Sequence, residues 1–99
     1  MKEIDKEQIA QWKKEHGDVY RITDEDKSKA CYLKQPSRKT MSYAATFAAS
    51  NPVRSNEVLL EGMWLGGDED FKTDDRLFFG ITPKLQEIAK SAEVELEKL

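Results

Sequence analysis

Apolar positions are sparse but regularly placed at the start of the chain. Ile9 and Trp12 stand three residues apart among acidic, basic and amide neighbours, and Ile4 lies just before them. Asp5 is followed three residues later by Gln8, the spacing of a capping box, and Gly17 is a natural left-handed stop. The pattern predicts a surface helix of about three turns with a narrow inward stripe, Ile4 packing against it as a staple.

Val19 to Thr23 and Ala30 to Gln35 are short and rich in β-branched and aromatic residues. The polar stretch Asp24-Glu25-Asp26-Lys27-Ser28 separates them. Together they predict a β-hairpin with a loop longer than the tight two-residue kind. Tyr20 and Ile22 share one face of the first strand. In the second, Cys31 and Leu33 alternate with Tyr32, which leaves its buried face ambiguous. Two strands alone are marginal, so the hairpin must pack against helices.

Beyond Pro36 the period changes to that of helices. Ser37 or Thr40 can cap a helix running to about Ser50, with Met41, Ala44, Ala45, Phe47 and Ala48 as its apolar side. Asn51-Pro52 stops it and starts another, because Asn is a good N-cap and Pro fits the first helical turn. That helix carries Val53, Val58, Leu59 and Met63 and is expected to run out at Gly66-Gly67. Residues 68–73 read as an acidic loop, after which Asp74 and Asp75 open a short helix at the favourable end of its dipole. Gly80-Ile81-Thr82-Pro83 reads as an interruption, with Thr82 capping a last helix; a continuous helix kinked at Pro83 is the alternative. Leu85, Ile88, Ala92 and Leu96 then follow at helical spacing. The expectation is one α+β domain over residues 1–99: an N-terminal helix, one β-hairpin, and a mostly helical C-terminal half.

Composition narrows the function classes. Charged residues make up 35% of the chain and the net charge is −3, which does not favour a nucleic-acid role. The single cysteine, Cys31, has no partner for an internal disulfide, the ordinary state in a reducing compartment. Residues 1–6 lack the apolar stretch of a signal peptide, and no apolar run approaches the ~18–20 residues of a membrane span. A soluble protein of the cytoplasm is expected, with no membrane partner.

No catalytic, cofactor-binding or metal-binding residues are assigned. His16 is the only histidine and sits near a helix C-terminus, where a surface imidazole suits the dipole. A calcium loop starting at Asp68 would need Gly where Thr73 stands and Glu where Phe79 stands. Gly62, Gly66 and Gly67 do not form a phosphate-binding fingerprint, and no nucleophile elbow occurs. The expectation is a non-enzymatic protein that takes no cofactor.

What remains is apolar surface. Met63-Trp64-Leu65 lies where a helix gives way to a loop, and Leu77-Phe78-Phe79 is equally dense. Three consecutive large apolar side chains at a helix end cannot all face one core. Either a small domain wraps both clusters between its helices, or one of them forms part of a protein-binding patch, since Trp, Phe and Met favour interface cores. The candidate partner-binding residues are Met63, Trp64, Leu65, Phe78, Phe79 and, on the last helix, Ile88.

The order of short phrases adds a resemblance. Trp12-Lys13-Lys14 leads to Val19-Tyr20-Arg21-Ile22, then to Lys34-Gln35-Pro36-Ser37-Arg38-Lys39-Thr40-Met41. Asn51-Pro52, Asn56-Glu57-Val58-Leu59-Leu60 and Trp64-Leu65-Gly66-Gly67-Asp68 follow, before a charged C-terminal segment. The chain resembles small proteins of phage and prophage tail operons, similar to tail assembly chaperones. The resemblance implies a protein that binds the tape measure protein, keeps its long helical segments soluble and helps recruit tail tube subunits. It also implies possible homo-oligomers and, in some members, a longer form made by ribosomal frameshifting. A small antitoxin-like or regulatory adaptor that binds and blocks one partner is the alternative.

Overall fold

A computed structural model of the chain describes residues 4–90 and 94–99. The elements in chain order are α1 (Lys6–His16), β1 (Val19–Thr23), β2 (Ala30–Lys34), α2 (Arg38–Ala45), α3 (Pro52–Met63), β3 (Trp64–Gly67), α4 (Asp70–Thr73) and α5 (Asp75–Ile88). The class is α+β, with an N-terminal helix, a hairpin and a helical second half. Side-chain caps start four of the helices. The backbone N–H groups of Gln8, Thr40, Arg54 and Leu77 donate to Asp5, Ser37, Asn51 and Asp74 at 2.8, 3.1, 3.1 and 3.2 Å. Each such cap contributes about 1 kcal/mol to its helix.

β1 and β2 pair antiparallel, with Tyr20 opposite Leu33, Arg21 opposite Tyr32 and Ile22 opposite Cys31. β2 is the middle strand of three, in the order β1-β2-β3, and this settles its ambiguous alternation. Both of its faces are covered, and Ala30, Cys31, Tyr32 and Leu33 are all buried. Cys31 and Leu33 join the helical core with Leu60, Met63, Ile81 and Leu85. Tyr32 faces the other way, its ring 5.8 Å from that of Trp12 on α1.

The third strand was not expected. Residues 64–67 read as the end of a helix, but the chain turns from helix to strand between Met63 and Trp64, where ψ is 128°. Gly67 is what allows it. Its φ is +121°, and a Cβ there would sit 2.5 Å from both the Ala30 carbonyl oxygen and the Cys31 Cα, so only glycine lets the two backbones approach this closely. Asp68 then ties the strand end to β2: it accepts from the Ala30 N–H through Oδ2 at 2.8 Å and donates its own N–H to the Ala30 carbonyl at 2.8 Å.

Four further expectations are revised. The helix expected to reach Ser50 stops at Ala45, and turns follow to Asn51. The acidic stretch 68–73 contains a helical turn, α4, because Phe71 is drawn into the core. The break at Gly80–Pro83 does not occur, and α5 runs through Pro83. An interior proline costs ~3 kcal/mol or more. Ile81, Leu85 and Ile88 are all buried on the same helix face, and burial at roughly 1.5–3 kcal/mol each outweighs it. The carbonyl freed by Pro83 belongs to Phe79, which lies on the exposed side of the helix, where water can reach it. The predicted stripe ends early as well: α5 stops at Ile88, Ala92 lies outside the described residues, and Leu96 is non-helical and exposed.

Candidate functional site

The six candidate residues divide by environment. Met63, Phe78 and Ile88 belong to the core. Trp64 and Leu65 are half-buried in β3. Phe79 alone among them is largely exposed, at 58%, its ring 5.7 Å from that of Phe78 in an edge-to-face pair. Trp64 is in part roofed: the Lys72 ammonium lies 4.3 Å from its ring centroid and pairs with Glu69 at 3.3 Å and Glu61 at 3.6 Å. Neither apolar cluster is exposed as a whole.

One concavity takes in Ile88 but none of the other five. An open groove of about 1070 Å³ runs between β1 and α5. Its volume stands at the upper end of the ~300–1,000 Å³ range of small-molecule pockets, and it is open to solvent. Tyr20 and Ile22 form its strand wall, while Leu77, Gly80, Ile81, Lys84 and Ile88 form its helix wall. The helix spacing explains the second wall, since these residues recur every three or four positions on one face of α5. The rim is charged with both signs: Arg21, Arg76, Lys84 and Lys90 against Asp24, Glu25 and Glu87.

Two properties of the walls bear on what the groove can do. β1 is an edge strand, and among the described residues no strand pairs with its outer side. Such an edge presents a row of backbone donors and acceptors that template pairing with another chain. On the opposite wall, Gly80 stands in mid-helix, where glycine costs about 1 kcal/mol relative to alanine. A Cβ at Gly80 would meet nothing within 4 Å. No neighbour within the fold requires glycine there, and its bare backbone leaves room in the groove.

The hairpin loop closes one end of the groove, and its geometry is held by Asp24. The Asp24 carboxylate accepts from the backbone N–H groups of Lys29 and Ser28 at 3.1 and 2.8 Å and from the Ser28 hydroxyl at 2.9 Å. These bonds, that of Lys29 foremost, hold its pKa below the usual carboxylate value. The Lys29 ammonium bonds Asp70 at 2.6 Å, which raises its pKa. Beneath the sheet, burial pushes the Cys31 thiol up to about 12, so at neutral pH it is a protonated core group and not a nucleophile.

A smaller depression of about 350 Å³ lies between α2 and α3, lined by Lys39, Tyr43, Arg54 and Val58 among others. Near it Tyr43 is exposed and stacks edge-on against Phe47 at 5.4 Å, with the Arg54 guanidinium 5.6 Å from the Phe47 ring. Among the described residues, no group of three or more His, Cys, Asp or Glu side chains could hold a metal ion, and no buried residue is polar or charged. No described helix is long and apolar enough to cross a membrane.

The sequence pattern singles out the apolar clusters and does not group Arg21, Ile22, Leu77 and Gly80, which line the groove together. Gly80 reads as a helix break in the sequence, whereas a glycine inside an otherwise helical, apolar stretch also fits a face left clear for a close approach. Comparison of the chain with known protein families, with curated proteins and with solved structures finds no match.

Proposed function

We propose that this domain is a non-enzymatic protein-binding adaptor that takes an extended segment of a partner along the β1–α5 groove. The reading rests on the groove itself: an unpaired strand edge faces an apolar helix wall across a trough, with an open glycine midway along it. Main-chain pairing to the edge supplies affinity in such sites, and alternate side chains of the guest strand supply specificity. A six-residue strand is about 20 Å long, comparable with β1.

The resemblance to tail assembly chaperones gives the partner class: a tape measure or tail tube protein, held during morphogenesis in the cytoplasm of a bacterial host. The test is co-purification from phage-infected cells, comparing the wild-type chain with Gly80→Gln. The added side chain enters open space and removes a helix-interior glycine, so the variant should unfold at the same temperature or higher, gaining up to about 1 kcal/mol. Partner recovery should fall about tenfold or more. A variant that recovers the partner as well as wild type would remove the groove from the proposal. Recovery of a toxin in place of a tail protein would replace the chaperone reading with that of a blocking adaptor.

A further inference from the structure

Charge and alternation narrow the groove's occupants further. Tyr20 and Ile22 point from β1 toward the core, because they sit opposite Leu33 and Cys31. Arg21 points to the other face, its guanidinium 5.5 Å from the Tyr32 ring. A guest strand suited to this edge carries apolar residues at every second position and acidic ones between, so that a carboxylate lies beside Arg21. A second β1 offers Arg21 no carboxylate. Paired antiparallel with their cores on the same side, two copies of β1 set Arg21 opposite Arg21 in the central register, where like charges are destabilising, and opposite Val19 or Thr23 in the registers shifted by two residues.

The chain itself contains a segment of the required kind. Residues 94–99 read Val94-Glu95-Leu96-Glu97-Lys98-Leu99. They are non-helical, and Val94 and Leu96 are 88% and 99% exposed. In an extended conformation Val94 and Leu96 share one face and Glu95 and Glu97 the other. Laid antiparallel on β1 with Glu95 opposite Arg21, the segment sets Val94 opposite Ile22 and Leu96 opposite Tyr20, with both apolar side chains toward the α5 wall.

We infer that segment 94–99 of a second copy of this chain adds as a strand to the outer edge of β1 and occupies the β1–α5 groove. This rests on reading the groove as a strand-accepting site, and it names a guest for it. Exchange between two copies uses the site twice, as a closed two-fold pair does. It also covers the exposed Val94 and Leu96, and a partner segment would then compete with it for the same edge.

The test is sedimentation of the full chain over a concentration series. The wild-type mass should rise toward that of a dimer. Val94→Asp with Leu96→Asp changes only exposed positions and should leave a folded monomer. Arg21→Glu alone and Glu95→Arg with Glu97→Arg alone should each weaken association about tenfold or more, and an equal mixture of the two should restore the dimer, because each groove then meets a segment of opposite charge. A wild-type chain that stays monomeric at every concentration overturns the inference. A synthetic peptide of residues 89–99, added to the monomeric Val94→Asp, Leu96→Asp chain, separates the two levels. If the wild type is monomeric but the peptide shifts the β1 amide resonances, the groove accepts strands and the second copy is the wrong guest. If the peptide shifts nothing, the strand-accepting reading fails with it. A wild-type monomer whose β1 amides exchange faster when 94–99 is mutated has its own segment on the edge, which also overturns the inference.

Discussion

Met63-Trp64-Leu65 and Leu77-Phe78-Phe79 are alike in composition and opposite in construction. In the first, the backbone changes from helix to strand between Met63 and Trp64. Met63 goes into the core as the last helical residue, while Trp64 and Leu65 stay half-buried in a strand, with Lys72 over the indole. In the second, the backbone remains helical, so successive side chains point about 100° apart. Leu77 faces the groove, Phe78 faces the core and Phe79 faces solvent. A run of three large apolar residues is therefore not yet a patch. What matters is where the backbone sends each side chain and what crosses over it.

The sharpest way to test this contrast is at Phe78. Truncation to alanine empties a core position, and Phe78→Ala should cost about 3–5 kcal/mol in denaturant unfolding. A cost below that of an ordinary surface substitution would mean that the second triplet does not send its middle residue inward.

Next comes the strand switch behind the first triplet. Gly67→Ala places a Cβ against the backbone of Ala30 and Cys31 at a positive φ, and should cost about 2–3 kcal/mol. Loss of the β2–β3 pairing, seen as faster amide exchange in β2, should accompany it. If the variant is as stable as wild type, the close approach of β3 to β2 is wrong.

A third effect reads the same close approach through Cys31, which pairs with Gly67. The folded thiol is pushed up to about 12 from an ordinary value of 9.0. A raised pKa leaves stability complete below the unfolded value and removes it as pH rises toward the folded one. Stability should therefore fall by up to ~1.4 kcal/mol per pH unit above pH 9.0, and Cys31→Ser should flatten that slope. At neutral pH a thiol reagent should label the native chain only as fast as it opens.

The smallest effect belongs to Phe79. Phe79→Ser should change stability by no more than about 0.5 kcal/mol, against the several lost at its neighbour. The pair of measurements brackets the whole range between core and surface within two adjacent residues of one helix.

Much of the architecture was legible in local chemistry. The caps at Asp5, Ser37, Asn51 and Asp74 and both hairpin strands were predictable because each depends on residues within a few positions. The candidate groove was far less so. Arg21 and Gly80 are 59 residues apart (80 less 21), and no periodicity links an edge strand to the helix that walls the groove beside it. The clusters around Trp64 and Phe78 drew attention because density of apolar residues is visible in sequence, whereas a gap between two elements is not.

Local chemistry is enough for the starts of α1, α2, α3 and α5, the hairpin and the α+β class, since capping oxygens, turn residues and alternation act over a single turn or strand. That Trp64–Gly67 is a strand, that α5 runs through Pro83, and that β2 is buried on both faces follow from packing across the fold. Each of those outcomes is set by burial against distant residues, which outweighs the local preference of a glycine pair or a proline. The groove is of the same kind. It exists because β1 is left at an edge while α5 is held across from it by core contacts that lie elsewhere in the chain.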